Sequence, residues 1–203
     1  MTYLATHLDV VGRRLEEHLV LVLVSLVIAL IIALPLGVLS ARKPRFGTAV
    51  LGITGALYTI PSLALLALLV TVNGLGTSTA IIALVIYAQM ALIRNVVAGL
   101  RGVDPALIDA ARGLGLTPRQ QLLRVELPAA LPVILGGVRI AAITLVALAT
   151  VAAWINAGGL GVLLFEGIHT DDPQKIVAGS VVAAALAIGA DLGLRACERL
   201  VRA

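Results

Sequence analysis

Charge, cysteine and aromatic side chains are all scarce in this 203-residue chain. Only 13% of its residues are charged against 60% hydrophobic, and the mean hydropathy is +1.08. That composition excludes an ordinary globule and indicates an integral membrane protein. Cys197 is the one cysteine, so no intrachain disulfide can form and the compartment cannot be argued from it. No Gly-x-x-x-x-Gly-Lys-Ser/Thr loop is present, so the chain cannot cradle ATP phosphates itself. No Ser/His, paired-Asp or His/Glu set converges at one depth of the apolar segments, which argues against an intramembrane enzyme. Asp191 is the one acid inside such a segment, and Arg195 stands one turn on to pair with it. A proton- or sodium-coupled carrier, an alternative of a different class, would want more buried acids or broken helices at midspan. His169, Asp171 and Asp172 share a loop without further ligands and read as a solvated face rather than a metal site.

What the chain does have is long apolar runs. Residues 19–40, 48–72, 79–100, 131–155 and 176–194 each suit a hydrocarbon core of about 30 Å. The expectation is an all-α integral membrane protein of about five transmembrane helices, with Pro61 inside the second. The runs are apolar all round, so periodicity does not choose which side of each helix faces its neighbours. Residues 1–18 read as an amphipathic helix on the outer surface, with Leu8, Val11 and Leu15 on one face. Gly12-Arg13-Arg14-Leu15 is not read as a signal, because Glu16 and Glu17 follow and the apolar run exceeds 20 residues. Residues 19–200 then form a single membrane domain.

A net charge of +4 would point to nucleic acid in a soluble protein, but here the cations cluster in particular loops and no nucleic-acid partner is expected. Arg42, Lys43, Arg45, Arg101, Arg112, Arg119, Arg124, Arg195, Arg199 and Arg202 fall on one side of the spans, and only Arg13, Arg14 and Lys175 on the other. The positive-inside rule puts the first side in the cytoplasm, together with the C-terminus, and the N-terminus outside.

Between the third and fourth spans lies a charged segment that must sit in water, at about residues 101–130. Asp104-Pro105 reads as a helix start, with Asp at the N-cap and Pro at the first helical position. Gly113 and Gly115 interrupt that helix, and Thr117-Pro118 restarts a second one. Asp109-Ala110-Ala111, Gly115, Val125, Leu127 and Pro128 fall at fixed offsets along it. This spacing resembles the EAA loop of permease subunits of ATP-binding cassette (ABC) importers, with Asp109 in place of the family's Glu. Ala110 and Ala111 would permit close helix approach, Gly115 the turn, and Leu127-Pro128 a reset of chain direction before the fourth span. Asp109 would fasten the hairpin internally, to Arg112 or Arg124, or else be a solvated charge worth little.

A narrower resemblance covers almost the whole chain. The run from Leu57 through Tyr58, Pro61 and Ser62 to Leu69 is similar to the second span of permeases for glycine betaine, choline, carnitine and related osmoprotectants. So are Gly99-Leu100-Arg101-Gly102-Val103-Asp104-Pro105 and Ala157-Gly158-Gly159-Leu160-Gly161, the latter with Phe165, Gly167 and Ile168 after it. Thr71 and Ala91 stand where many relatives carry proline, Val96 where threonine is usual and Asn156 where glycine is usual.

The resemblance implies a type I importer (MetI-like) permease core with a cytoplasmic coupling-helix loop, in the bacterial inner membrane. It implies ABC ATPase subunits that carry the ATP and Mg, none being bound by this chain, and a binding protein that delivers a quaternary-ammonium osmoprotectant such as proline betaine. A permease for an amino acid such as methionine is the alternative within the same class. A second permease copy or a paralogue is expected, with Gly136, Gly137, Ala141, Ala142, Ala147 and Ala149 available for that contact. Gly189 and Gly193 are expected to pack within the subunit. Aromatic faces hold quaternary ammonium groups, so Tyr58, Pro61, Ser62, Tyr87, Trp154 and Asn156 are candidates to line the pathway. Tyr and Trp near span ends also serve as interfacial anchors, so that role stays open beside the first.

Overall fold

A bilayer offers no water to an unpaired backbone amide, so spans must satisfy their hydrogen bonds internally, as helices do. The computed structural model describes residues 2–202, and every regular element among them is helical. A short α1 (Thr2–Thr6) precedes α2 (Leu8–Arg42), α3 (Pro44–Thr59), α4 (Ser62–Asn73) and α5 (Thr77–Arg101). The polar hairpin carries α6 (Pro105–Gly113) and α7 (Pro118–Gln121), and a π-helical turn at Leu122–Glu126 leads into α8 (Leu127–Ala152). A 3₁₀ turn (Ala153–Ile155), α9 (Gly161–His169) and α10 (Pro173–Arg202) complete the chain. Four helical runs are long and apolar enough to cross a membrane, and counting the bent pair α3–α4 as one broken span brings the number to five.

The expected count of spans stands, but several boundaries differ. No break separates residues 1–18 from the first span, because α2 is continuous from Leu8. Val11 is buried and Leu15 packs beside it against Leu160 and Leu163, whereas Leu8 stays exposed. The second span is not straight. Pro61 has no N–H and pushes Ile60 into extended geometry (ψ 129°), so α3 and α4 meet at 98°. Leu127-Pro128 does not reset the chain direction: Pro118–Ile155 is one helical run of 38 residues. At 1.5 Å per residue that run is about 57 Å long, well beyond a bilayer core. The hairpin's second arm and the fourth span are therefore the same rod.

α5 lies at the centre, packed against α2, α3, α4 and α8. α2 meets it through Ser25, Ala29, Ala33 and Gly37, buried residues four apart that let the backbones approach. A Cβ on Gly37 would fall 2.5 Å from Val96 Cγ1. In α8, Gly137, Ala141, Ala142 and Ala149 are buried within the subunit, while Gly136 and Ala147 are not. Gly189 and Gly193, expected to pack internally, face open space instead.

Candidate functional site

The hairpin is built by local capping chemistry. Asp104 Oδ1 accepts from the Ala106 amide at 2.9 Å, and Pro105 opens α6 without needing a donor. α6 ends at Gly113, and Gly115 takes the left-handed conformation (φ 74°) that lets the Leu116 amide return to the Ala111 carbonyl. Thr117 and Gln120 then form a reciprocal capping box that starts α7. Of the paired alanines, Ala111 is buried and Ala110 is exposed, so only the first makes the close approach. Asp109 reaches Arg112 at 3.4 Å, not Arg124, and both partners are mostly exposed, so this pair fastens little.

What holds the hairpin lies elsewhere. Ile108, Leu122 and Leu127 pack on a buried cluster of Val96, Leu100, Val103, Ala130 and Ile134, which joins α6 and the π-helical turn to α5 and α8. Val125 is half-buried and Pro128 is exposed. Buried Glu126 accepts from Gln121 Nε2 at 2.8 Å and from Arg42 Nη2 at 3.4 Å, tying the turn to the end of α2. Arg101 donates to the Ser40 and Ala41 carbonyls, placing a cation at the C-terminus of the same helix. Beneath these groups is an open cavity of about 360 Å³ lined by Arg42, Ile108, Arg112, Pro118, Gln121 and Glu126.

At the opposite end, two neighbouring side chains of α2 grip the start of α9. Glu17 accepts from the Gly159 amide at 2.9 Å, and fully buried His18 accepts from the Leu160 amide at 3.3 Å through Nδ1. That leaves Nε2–H to donate to the Val146 carbonyl at 3.1 Å. Gly158 and Gly159 both have φ 82°, and a Cβ on Gly158 would fall 2.7 Å from Glu17 Oε2. Asn156 is also left-handed (φ 61°), so a residue tolerant of that region stands where a glycine would serve.

The six candidate pathway residues separate into two groups. Tyr87 is buried and its hydroxyl donates to the Ile60 carbonyl, which the Pro61 break leaves without a helical partner. Tyr58 meets Tyr87 edge-on at 6.0 Å and is half exposed, while Ser62 opens α4 beside Tyr87. Trp154 and Asn156 lie at the end of α8 far from the hairpin: Trp154 contacts Phe165 and lines a cavity of about 550 Å³ with Leu63, Ala64 and Ala67 of α4, and Asn156 lines one of about 520 Å³ with Arg14 and Glu166.

Asp191 pairs with Arg195 at 2.8 Å as expected, and also with Arg139 of α8 at 3.5 Å. Arg139 reaches Glu198 at 3.3 Å as well, so a charged cluster welds α8 to α10. Sequence reasoning gave Glu126 no role beyond its place in the charged segment and did not single out Arg139. The available signal was one basic and one acidic residue in otherwise apolar or capped surroundings, each needing a partner.

The family of inner membrane components of binding-protein-dependent transport systems covers residues 33–203. The chain belongs to that family. Among relatives of this permease, the carnitine transport permease OpuCB of Listeria monocytogenes is 39% identical, over 90% of this chain and 84% of the relative. The glycine betaine/carnitine/choline permease OpuCB of Bacillus subtilis is 37% identical, over 99% and 93%. The osmoprotectant import permease OsmW of Salmonella typhimurium is 41% identical, over 86% and 84%. A chain of the inward-facing methionine ABC transporter MetNI superposes with a TM-score of 0.86 at 26% identity, covering 96% of this chain and 97% of its own. The permease thus has the ABC importer fold and is a multi-pass membrane transport subunit.

Proposed function

We propose that this permease forms the translocation pathway for a quaternary-ammonium osmoprotectant, a glycine betaine-, carnitine-, proline betaine- or choline-like solute handed over by an extracytoplasmic binding protein. The observation that carries the reading is the agreement of its relatives: permeases named for carnitine, choline and glycine betaine align over nearly the whole chain at 37–41% identity. ATP and Mg belong to separate ATPase subunits, which grip the hairpin at Asp109, Ala110, Ala111 and Gly115. A second permease copy or paralogue completes the pore, and surrounding lipid covers the remaining apolar faces.

The continuous run Pro118–Ile155 supports a lever mechanism. A push on α7 travels along one rod, past Val125, Leu127 and Pro128, into the membrane without a flexible joint to absorb it. Rocking of that rod against α2 and α5 is how such a subunit would alternate its access. Hairpin and C-terminus lie in the cytoplasm in this reading.

Two measurements test it. In membranes of the assembled importer, ATP-driven uptake of labelled glycine betaine, carnitine or choline is expected, and Asp109→Lys should lower both ATPase capture and uptake by about tenfold or more, as a charge reversal at a docking site does. Uptake of methionine instead of all three would overturn the substrate class. The exposed Cys197 should react with a membrane-impermeant maleimide only from the cytoplasmic side; labelling from outside would invert the topology.

A further inference from the structure

Arg139 is neutralised by two carboxylates on α10, but the other arginine inside a span, Arg94 of α5, is given none. Among the described residues Arg94 makes no ion pair and no hydrogen bond. It is exposed and lies seven residues before the end of α5, about 10 Å along the helix. A lone guanidinium at such a depth is costly unless it faces a solute path or a partner.

Arg94 has company of a particular kind. Met90, Ala91, Arg94 and Asn95 share one face of α5 and line an open cavity of about 450 Å³ together with Tyr58 from α3 and Ile140 from α8. That volume lies in the range of small-molecule sites. Asn95 is held in place, its Nδ2 donating to the Ala91 carbonyl at 2.8 Å and its Cβ against Gly137, which could not carry a side chain there. No acidic side chain lines the cavity. It therefore offers a fork of guanidinium donors and a half-exposed aromatic ring, in mostly apolar walls.

We infer that Arg94 is the carboxylate contact of the translocation pathway and Tyr58 its ammonium contact, so that this permease passes zwitterionic betaines in preference to choline. The inference rests on the osmoprotectant reading above and narrows its substrate class. A planar guanidinium takes a carboxylate bidentately, and a tyrosine ring attracts a quaternary ammonium. A betaine carries both groups and no net charge, so it neutralises Arg94 without bringing a second cation. Choline lacks the carboxylate and would set its positive charge beside an unpaired one.

The test is uptake of radiolabelled glycine betaine and choline by the assembled importer, with Arg94→Gln and Arg94→Lys compared at equal membrane abundance. The binding protein is the same throughout, so a change in the ratio belongs to the permease. Arg94→Gln should lower the betaine-to-choline uptake ratio about tenfold, as expected where a site loses the donor built for its substrate. Arg94→Lys keeps the charge but not the fork and should fall between, with a raised KM for betaine. If the glutamine variant does not reach the membrane, the lysine variant decides: a betaine KM within about twofold of wild type overturns the inference. Equal loss for both solutes would assign Arg94 to packing or to a second subunit and also overturn it, as would a wild type that imports choline but not betaine. A wild type that imports neither removes the osmoprotectant reading and this inference together, whereas normal uptake with an unchanged ratio removes the role of Arg94 alone.

Discussion

Adding one methyl group at Gly161 tests how firmly α9 is pinned to the bundle. A Cβ there would lie 1.9 Å from the Thr150 carbonyl oxygen and 2.8 Å from Ala153 Cβ. The first obstacle is backbone, so it cannot swing away, and α9 must retreat by about 1–1.5 Å to reach ordinary contact distance. That retreat pulls the Gly159 and Leu160 amides from Glu17 and His18, now at 2.9 and 3.3 Å. Overpacking costs about 1–3 kcal/mol. The neutral hydrogen bond adds about 1 kcal/mol and the one to a carboxylate about 1.5–3 kcal/mol. The total for Gly161→Ala is about 3.5–7 kcal/mol, which at about 2–4 °C per kcal/mol for a chain of this size lowers Tm by roughly 7–28 °C. Gly189→Ala is the control, because its Cβ would meet nothing within 4 Å and a helix-interior alanine gains about 0.5–1 kcal/mol. Thermal unfolding of the purified protein in detergent reads both. Glu17→Ala combined with Gly161→Ala should cost about 1.5–3 kcal/mol less than the two singles added, since the same hydrogen bond is lost once. A Gly161→Ala protein that melts at or above the Gly189→Ala control would refute the argument.

Two more consequences can be read by the same unfolding measurement. Tyr87→Phe keeps the ring beside Tyr58 but leaves the Ile60 carbonyl unpaired, for an expected loss of about 1–3 kcal/mol; no loss would mean that the carbonyl finds another donor. Arg139→Leu removes a cation shared by Asp191 and Glu198 and should cost about 1–3 kcal/mol, most of it recovered when Asp191→Asn and Glu198→Gln accompany it. If the triple change is as unstable as the single one, the loss comes from packing rather than from the charges that Arg139 balanced.

Much of this protein acts through local rules, and those parts were legible in the sequence. Pro, Gly and capping side chains govern backbone geometry within a few residues, so Asp104-Pro105, Gly115 and Thr117-Pro118 announced the hairpin with its two starts and its turn. Hydropathy is likewise a local sum, and it located all the spans, with the resemblance to importer permeases resting on the same punctuation. Pro61 was noted as lying within the second span, but the 98° bend needed more than a proline: it needed Tyr87 from α5 to satisfy the abandoned carbonyl.

The rest depended on which apolar face met which neighbour, and spans that are apolar all round do not encode that in their hydropathy. Close approach selected Gly37 and Gly137 as internal contacts while leaving Gly189 and Gly193 outward. The ties of Glu17 and His18 to α9 span 142 residues, and that of Glu126 to Arg42 spans 84. Composition and turn chemistry by themselves determined that the chain is a multi-span membrane protein with a polar hairpin; that it is a permease came from its resemblance to that family. Only tertiary packing decided which polar groups neutralise one another and which, like Arg94, are left facing a cavity, because a charge within a span is judged by the partner that folding brings to it.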